Sequence, residues 1–307
     1  MRHPAIPSWP TGLRSLLRVT VLLAATMQWS QASAADRYWP PIADPPTNQH
    51  QPGKWVWAEL LTPDVARAAD FYAKVFNWTY ETYGPEDDLQ TYTLIFADGV
   101  PIGGIVFADP PDPKTLPNAR WVGLLSVADV DAATQAARSR GGKVIVSPVD
   151  AGSRGRLALL ADPEGGLFGI LRSSTGDPED YLAEVHEWLW FELWADDPEG
   201  MGRFYQSVAD YRIETGATTV EHGRGLHLVA GGLPRAGVLA KTARVPTTWI
   251  PYVRVASVTE TVQKARAAGA AIVIEPMTAR GTQVALLLDP TGAPIAVAEW
   301  PPRENQS

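Results

Sequence analysis

No cysteine occurs among the 307 residues. That removes disulfides, thiol catalysis and thiolate metal sites together, and with them the cysteine a lipid anchor requires. Basic charge is short as well, since 26 Lys plus Arg against 34 Asp plus Glu leave a net charge of −8. A nucleic-acid surface needs a basic stripe, and none is present, so no nucleic-acid partner is expected. Histidine is scarce, and His50, His186, His222 and His227 follow no metal-ligand spacing. Each reads as a surface or core residue. Long apolar runs are missing too: the run at 19–27 falls far below the ~20 residues that span a bilayer.

That short run has a different reading. Arg14 and Arg18 precede it, and Ala32-Ser33-Ala34 follows with the small residues a signal peptidase requires. Residues 1–34 read as a cleaved signal peptide, which predicts a periplasmic or secreted protein with no membrane anchor. Residues 35–54 carry Pro40, Pro41, Pro45, Pro46 and Pro52. Such a segment can continue neither a helix nor a central strand, and it reads as an extended spacer.

What is present is an ordinary globular composition, 45% hydrophobic and 20% charged, with 12 tryptophans as its one excess. The chain also repeats itself. Residues 57–78 align without gaps on 190–211 with seven of 22 identical, among them Trp57/Trp190, Glu59/Glu192 and Tyr72/Tyr205. Residues 121–148 match 249–276 in nine of 28 positions, and 158–165 match 285–292 in six of eight. Two homologous halves follow, at 55–172 and 188–300, with a linker at 173–187 and a tail at 301–307.

Each half divides again. Residues 55–61 are strand-like, and Pro63-Asp64 opens a helix over 65–76 whose apolar residues Phe71, Tyr72, Val75 and Phe76 keep helical spacing. Strands at 91–97 and 102–107 flank the turn Asp98-Gly99-Val100-Pro101. A second unit repeats the order: strand 122–127, helix 129–140, then strands 143–147, 157–161 and 167–171. The fold class is α+β, with four βαβββ units in the chain.

The motifs Trp57-Ala58-Glu59-Leu60, Phe71-Tyr72, Val127-Ala128-Asp129-Val130-Asp131 and Asp162-Pro163-Glu164-Gly165 come in a telling order. In the second half they recur as Trp190-Phe191-Glu192-Leu193, Phe204-Tyr205 and Asp289-Pro290-Thr291-Gly292. From 55 to 300 the chain resembles the vicinal oxygen chelate superfamily of glyoxalases, bleomycin-resistance proteins and extradiol dioxygenases, and in particular its tandem two-domain branch. The resemblance implies two domains with cupped mixed sheets. It also implies metal ligands on the first strand of a unit and on its last strand. Those positions here read Trp57, Val122, Trp190 and Ile250, then Gly169 and Ala296. None can ligate a cation, so neither a metal nor another cofactor is expected.

Strand alternation then assigns the cup faces. Trp55, Trp57 and Glu59 share one face with Val122 and Leu124. Trp188, Trp190, Glu192 and Trp194 share the other with Ile250 and Tyr252. Gly169 and Ala296 would leave room where the resemblance puts a ligand. Pairing of units one with two, or one with four, is open at this point. Glu59 and Glu192 are the candidate catalytic residues. Trp55, Trp57, Trp188, Trp190, Trp194, Leu124 and Tyr252 are the candidate ligand-binding wall. Arg154 and Arg156 read as a solvated loop. The leading expectation is an exported protein that binds a small organic molecule in aromatic-lined cups without a metal. The alternative is a lyase or hydroxylase-like enzyme with a rebuilt metal site or a carboxylate general base. Because tandem halves mimic a dimer, a monomer is expected.

Overall fold

The computed structural model describes residues 39–84, 91–108, 119–219, 223–241, 246–279 and 281–300. The expected signal peptide, the tail and His222 lie outside the described residues. The first half runs β1 (Trp55–Thr62), α1 (Val65–Phe76), β2 (Thr79–Tyr83), β3 (Tyr92–Ala97) and β4 (Val100–Phe107). It continues with β5 (Arg120–Ser126), α2 (Val130–Ser139), β6 (Lys143–Asp150), β7 (Gly155–Ala161) and β8 (Leu167–Ser173). The second half repeats this with β9 (Trp188–Ala195), α3 (Pro198–Ala209), β10 (Arg212–Thr219), β11 (Gly223–Ala230) and β12 (Leu233–Ala240). It closes with β13 (Thr248–Arg254), α4 (Val258–Ala267), β14 (Ala271–Ala279), β15 (Thr282–Leu288) and β16 (Pro294–Ala298). The α+β class and the four βαβββ units are as the sequence predicts.

Each helix starts where an acceptor side chain satisfies an orphan amide. Asp64 accepts from Arg67 N, Asp129 from Ala132 N, Asp197 from Gly200 N and Ser257 from Glu260 N. α1 then buries Ala68, Phe71, Tyr72, Val75 and Phe76, one apolar stripe of a two-faced helix.

The strands form two eight-stranded mixed sheets, ordered β2-β3-β4-β1-β5-β8-β7-β6 and β10-β11-β12-β9-β13-β16-β15-β14. β1 pairs parallel with β4 and antiparallel with β5, and β9 does the same with β12 and β13. Units therefore pair within a half, one with two and three with four. Trp57 lies opposite Leu124, and Glu59 opposite Val122.

The helices cross-pack: α2 rests on α3, and α1 on α4. One hydrophobic core unites the helix-bearing faces of both sheets, running through Trp55, Phe71, Tyr72, Trp121, Phe191, Tyr205 and Trp249. At its seam Tyr72 donates to Asp289 at 2.9 Å and Trp121 Nε1 donates to Tyr72 at 2.9 Å. The twin set is Tyr205 to Asp162 at 2.9 Å and Trp249 Nε1 to Tyr205 at 2.7 Å.

Two of the assigned faces need correction. The register of β1 on β5 slips between Trp55 and Trp57, and that of β13 on β9 slips between Tyr252 and Val253. Each slip is a bulge, which breaks the two-residue alternation. Trp55 consequently turns to the shared core, 5.2 Å from Phe191 and 4.4 Å from Trp249. Trp188 turns the same way, 4.9 Å from Trp121, and its Nε1 donates to Ile102 O at 2.8 Å. Neither belongs to a cup.

Candidate functional site

The concave faces of the two sheets hold the remaining candidates, and they are built differently. In the first cup Glu59 is 8% exposed and Arg154 is 0% exposed. Arg154 Nη1 donates to Glu59 Oε1 at 3.1 Å, Nη2 to the Tyr92 hydroxyl at 3.0 Å, and Nε to Pro40 O at 2.8 Å. Tyr92 in turn donates to Glu59 at 3.1 Å and accepts from Trp57 Nε1 at 3.1 Å. The guanidinium also lies over the rings of Trp57, Tyr92 and Trp39, with centroids at 4.8, 5.3 and 5.6 Å. Burial pushes the Glu59 carboxyl up to about 7, against the opposing pull of Arg154 and the Tyr92 hydrogen bond.

The solvated-loop reading of Arg154 is therefore wrong. It sits in a 3₁₀ turn, Gly152–Arg154, and the next residue, Gly155, has φ 103°. A Cβ at Gly155 would run into Arg172 O, so the backbone that swings Arg154 inward requires glycine. That Arg-Gly pair recurs as Arg280-Gly281, the one signal in the sequence that marked it. Arg156, by contrast, is a partly exposed residue paired with Asp131 and Asp150.

The spacer completes the filling of this cup. Trp39 and Ile42 are buried in one cluster with Trp57, Tyr92, Leu94, Val122 and Leu124. Trp39 meets Tyr92 edge-on at 4.9 Å, and Ser153 Oγ donates to Trp39 O. The room expected at Gly169 is taken as well, because a Cβ there would run into Leu124 Cδ2. Farther along this face Arg120 is half-buried, and burial lowers its guanidinium to about 10.

The second cup keeps its carboxylate but changes the surroundings. Glu192 is 3% exposed, and its Oε2 accepts from Tyr252 OH at 2.8 Å and Trp194 Nε1 at 3.2 Å. Ile250, Leu286 and Ala296 form the floor, with Trp194, Tyr252, Val273 and Ile274 half-buried around it. Trp190 is half-buried and meets His227 edge-on at 6.0 Å. Thus Trp190, Glu192, Trp194 and Tyr252 share one surface, as Trp57, Glu59 and Leu124 share the other. Among the described residues no segment packs into this cup as Trp39 and Ile42 pack into the first.

Among the described residues the donor set does not fit a metal. The positions implied by the resemblance carry Trp57, Val122, Gly169, Trp190, Ile250 and Ala296, none of which offers a hard ligand. In the first cup the lone carboxylate already faces a guanidinium 3.1 Å away, where a cation would be repelled. Among the described residues no three of His, Cys, Asp and Glu come together.

A further cleft of about 780 Å³ lies between the halves. Trp55, Trp188, Phe191 and Arg235 line it, and the exposed residues Val100, Tyr181 and Leu233 stand at it.

Comparison with known proteins locates this architecture. Residues 54–170 match the family model described as the Glyoxalase/Bleomycin resistance protein/Dioxygenase superfamily. The anthracycline biosynthesis protein DauV of Streptomyces sp. (strain C5) is 30% identical over 266 residues, covering 81% of this chain and 94% of that protein. "Putative glyoxylase CFP32" of Mycobacterium tuberculosis (strain CDC 1551 / Oshkosh) is 26% identical over 263 residues, covering 85% of this chain and all of the relative. Among solved structures, the Mn(II)-bound glyoxalase from Novosphingobium aromaticivorans superposes with a TM-score of 0.54 at 17% identity, covering 81% of this chain and 82% of that one. That last likeness bears on the fold alone.

Proposed function

The chain belongs to the glyoxalase/bleomycin resistance protein/dioxygenase superfamily, and within it we propose an exported protein that binds a small organic molecule in its second cup without a metal. What carries this reading is the contrast between the cups. Arg154, Tyr92 and Trp39 close the first around Glu59, whereas Trp190, Trp194 and Tyr252 stand half-buried around Glu192. Half-buried aromatic walls with one oriented carboxylate suit a flat ligand bearing a hydrogen-bond donor. The name of the DauV relative ties that protein to anthracycline biosynthesis, which supports an organic ligand here.

The reading is tested by native mass spectrometry of the full chain against a library of flat aromatic compounds. Bound compounds should be retained by Glu59→Gln and lost from Glu192→Gln. Compounds retained by both variants would place the ligand elsewhere, and a library with no binder would end the proposal. Export rests on the Arg14 to Ala34 pattern, and a monomer rests on the tandem halves; sedimentation of the purified chain checks the latter.

A further inference from the structure

The two cups repeat one frame, so a residue in one has a counterpart in the other. In the first, Glu59 lies opposite Gly104 on β4, and Gly104 lies opposite Leu94 on β3. Two residues before Leu94 comes Tyr92, whose side chain points to the same face. Its hydroxyl stands over Gly104 so closely that a Cβ there would collide with it. At that point the hydroxyl accepts from Trp57 Nε1 and donates to Glu59. A phenol built into the chain thus bridges an indole N–H and a carboxylate.

In the second, Glu192 lies opposite Gly237, and Gly237 lies opposite His227. Two residues before His227 the sequence has Gly225, so the tyrosine is gone while its neighbours remain. Two consequences follow. Trp190 Nε1, the counterpart of the Trp57 donor, is buried and finds no acceptor among the described residues. Around a Cβ built on Gly237, the nearest atoms beyond its chain neighbours are Glu192 Oε1 at 3.0 Å and Trp190 Nε1 at 3.2 Å. Among the described residues nothing nearer than these stands at that Cβ, where the Tyr92 oxygen stands in the first cup, yet the donor and the carboxylate still converge there.

We infer that the second cup binds the hydroxyl of a neutral phenol at this point, its oxygen accepting from Trp190 Nε1 and its hydrogen donated to Glu192. The inference rests on the second cup being a ligand site and names the group that site recognises. A buried donor without an acceptor is disfavoured, so an oxygen that relieves it adds affinity beyond ring packing. The carboxylate selects the protonated ligand, because an O–H donated to it is a charge-assisted hydrogen bond that a phenolate cannot make. A methyl ether keeps the ring and the oxygen but loses the hydrogen that Glu192 takes.

The test uses the full chain and two matched pairs, phenol with anisole and 2-naphthol with 2-methoxynaphthalene, titrated by calorimetry. The phenols should bind saturably, with each ether about tenfold weaker or more. Trp190→Phe should weaken 2-naphthol by about tenfold and shrink its advantage over the ether. Gly225→Tyr restores the internal phenol and should abolish binding of both. Where that variant fails to fold, Trp190→Phe decides, with circular dichroism as the control. Equal affinities for phenol and ether, with Glu192→Gln still weakening both, would overturn the hydroxyl subsite and leave the second cup a ligand site. If no phenol binds while library compounds still depend on Glu192, the inference again fails alone. If nothing binds at all, both readings fail.

Discussion

Tyr72, in the first helix, donates a hydrogen bond of 2.9 Å to Asp289, in the last tight turn, 217 residues away. Tyr205 and Asp162 make the same bond between the third unit and the second. The Phe-Tyr and Asp-Pro motifs that mark each half are thus the clasp between halves. Each aspartate is also the turn's own acceptor, Asp162 from Glu164 N and Gly166 N, and Asp289 from Thr291 N, Gly292 N and Ala293 N.

Removing a hydroxyl from this clasp should cost stability. In Tyr72→Phe or Tyr205→Phe a buried aspartate loses a donor and a buried indole N–H loses its acceptor. The expected loss is about 1–3 kcal/mol for each variant, read as a lower urea midpoint. A midpoint unchanged in both would mean the clasp contributes nothing.

Glu59 gives a pH dependence of defined sign. Its carboxyl is raised to about 7 by burial, above the unfolded value of 4.5. Between those values the folded chain holds the proton more tightly, so this contribution is full below the unfolded value and is lost as pH rises through about 7. Asp162, raised to about 6 by burial, acts in the same direction. Urea midpoints at pH 5 and pH 8 should therefore fall more in the parent than in Glu59→Gln. An equal fall in both would remove Glu59 as the source.

Arg154 and Glu59 should behave as a coupled pair. Arg154→Met leaves a buried carboxylate unpaired, which costs about 3–5 kcal/mol for pairs of this kind. Adding Glu59→Gln should recover most of that loss. A double-mutant cycle with no coupling would show that the two side chains act independently.

How much of this was legible beforehand follows from which physical signals are local. Cap residues such as Asp64 and Asp129 act within three residues, so the helices are visible in the sequence. The motif repeat exposes the two halves, and the order of strand and helix signals inside each half exposes its two units. β2 (Thr79–Tyr83) is largely exposed and carries no alternating apolar signal, which hides it. The faces of Trp55 and Trp188 depend on bulges, and a bulge is a property of two strands in register. Arg154 looks like loop chemistry because its partners, Glu59 and Pro40, are 95 and 114 residues away.

Export is checked by the chain's own mass. A leader at 1–34 predicts mature protein beginning at or near Ala35 when the gene is expressed with its full reading frame. Recovery of only the uncleaved chain from the cytoplasm would reject it.

The most direct test of the central claim compares one atom change in the two halves. Glu59→Gln and Glu192→Gln each keep side-chain size and hydrogen-bonding capacity while removing charge. Affinity for a compound found in the library screen is measured on both, alongside melting temperature. The account predicts that Glu192→Gln weakens binding by about tenfold or more with little change in melting, while Glu59→Gln leaves affinity intact. Affinity untouched in Glu192→Gln, with a marked drop in its melting temperature, would contradict the account and make that carboxylate scaffold.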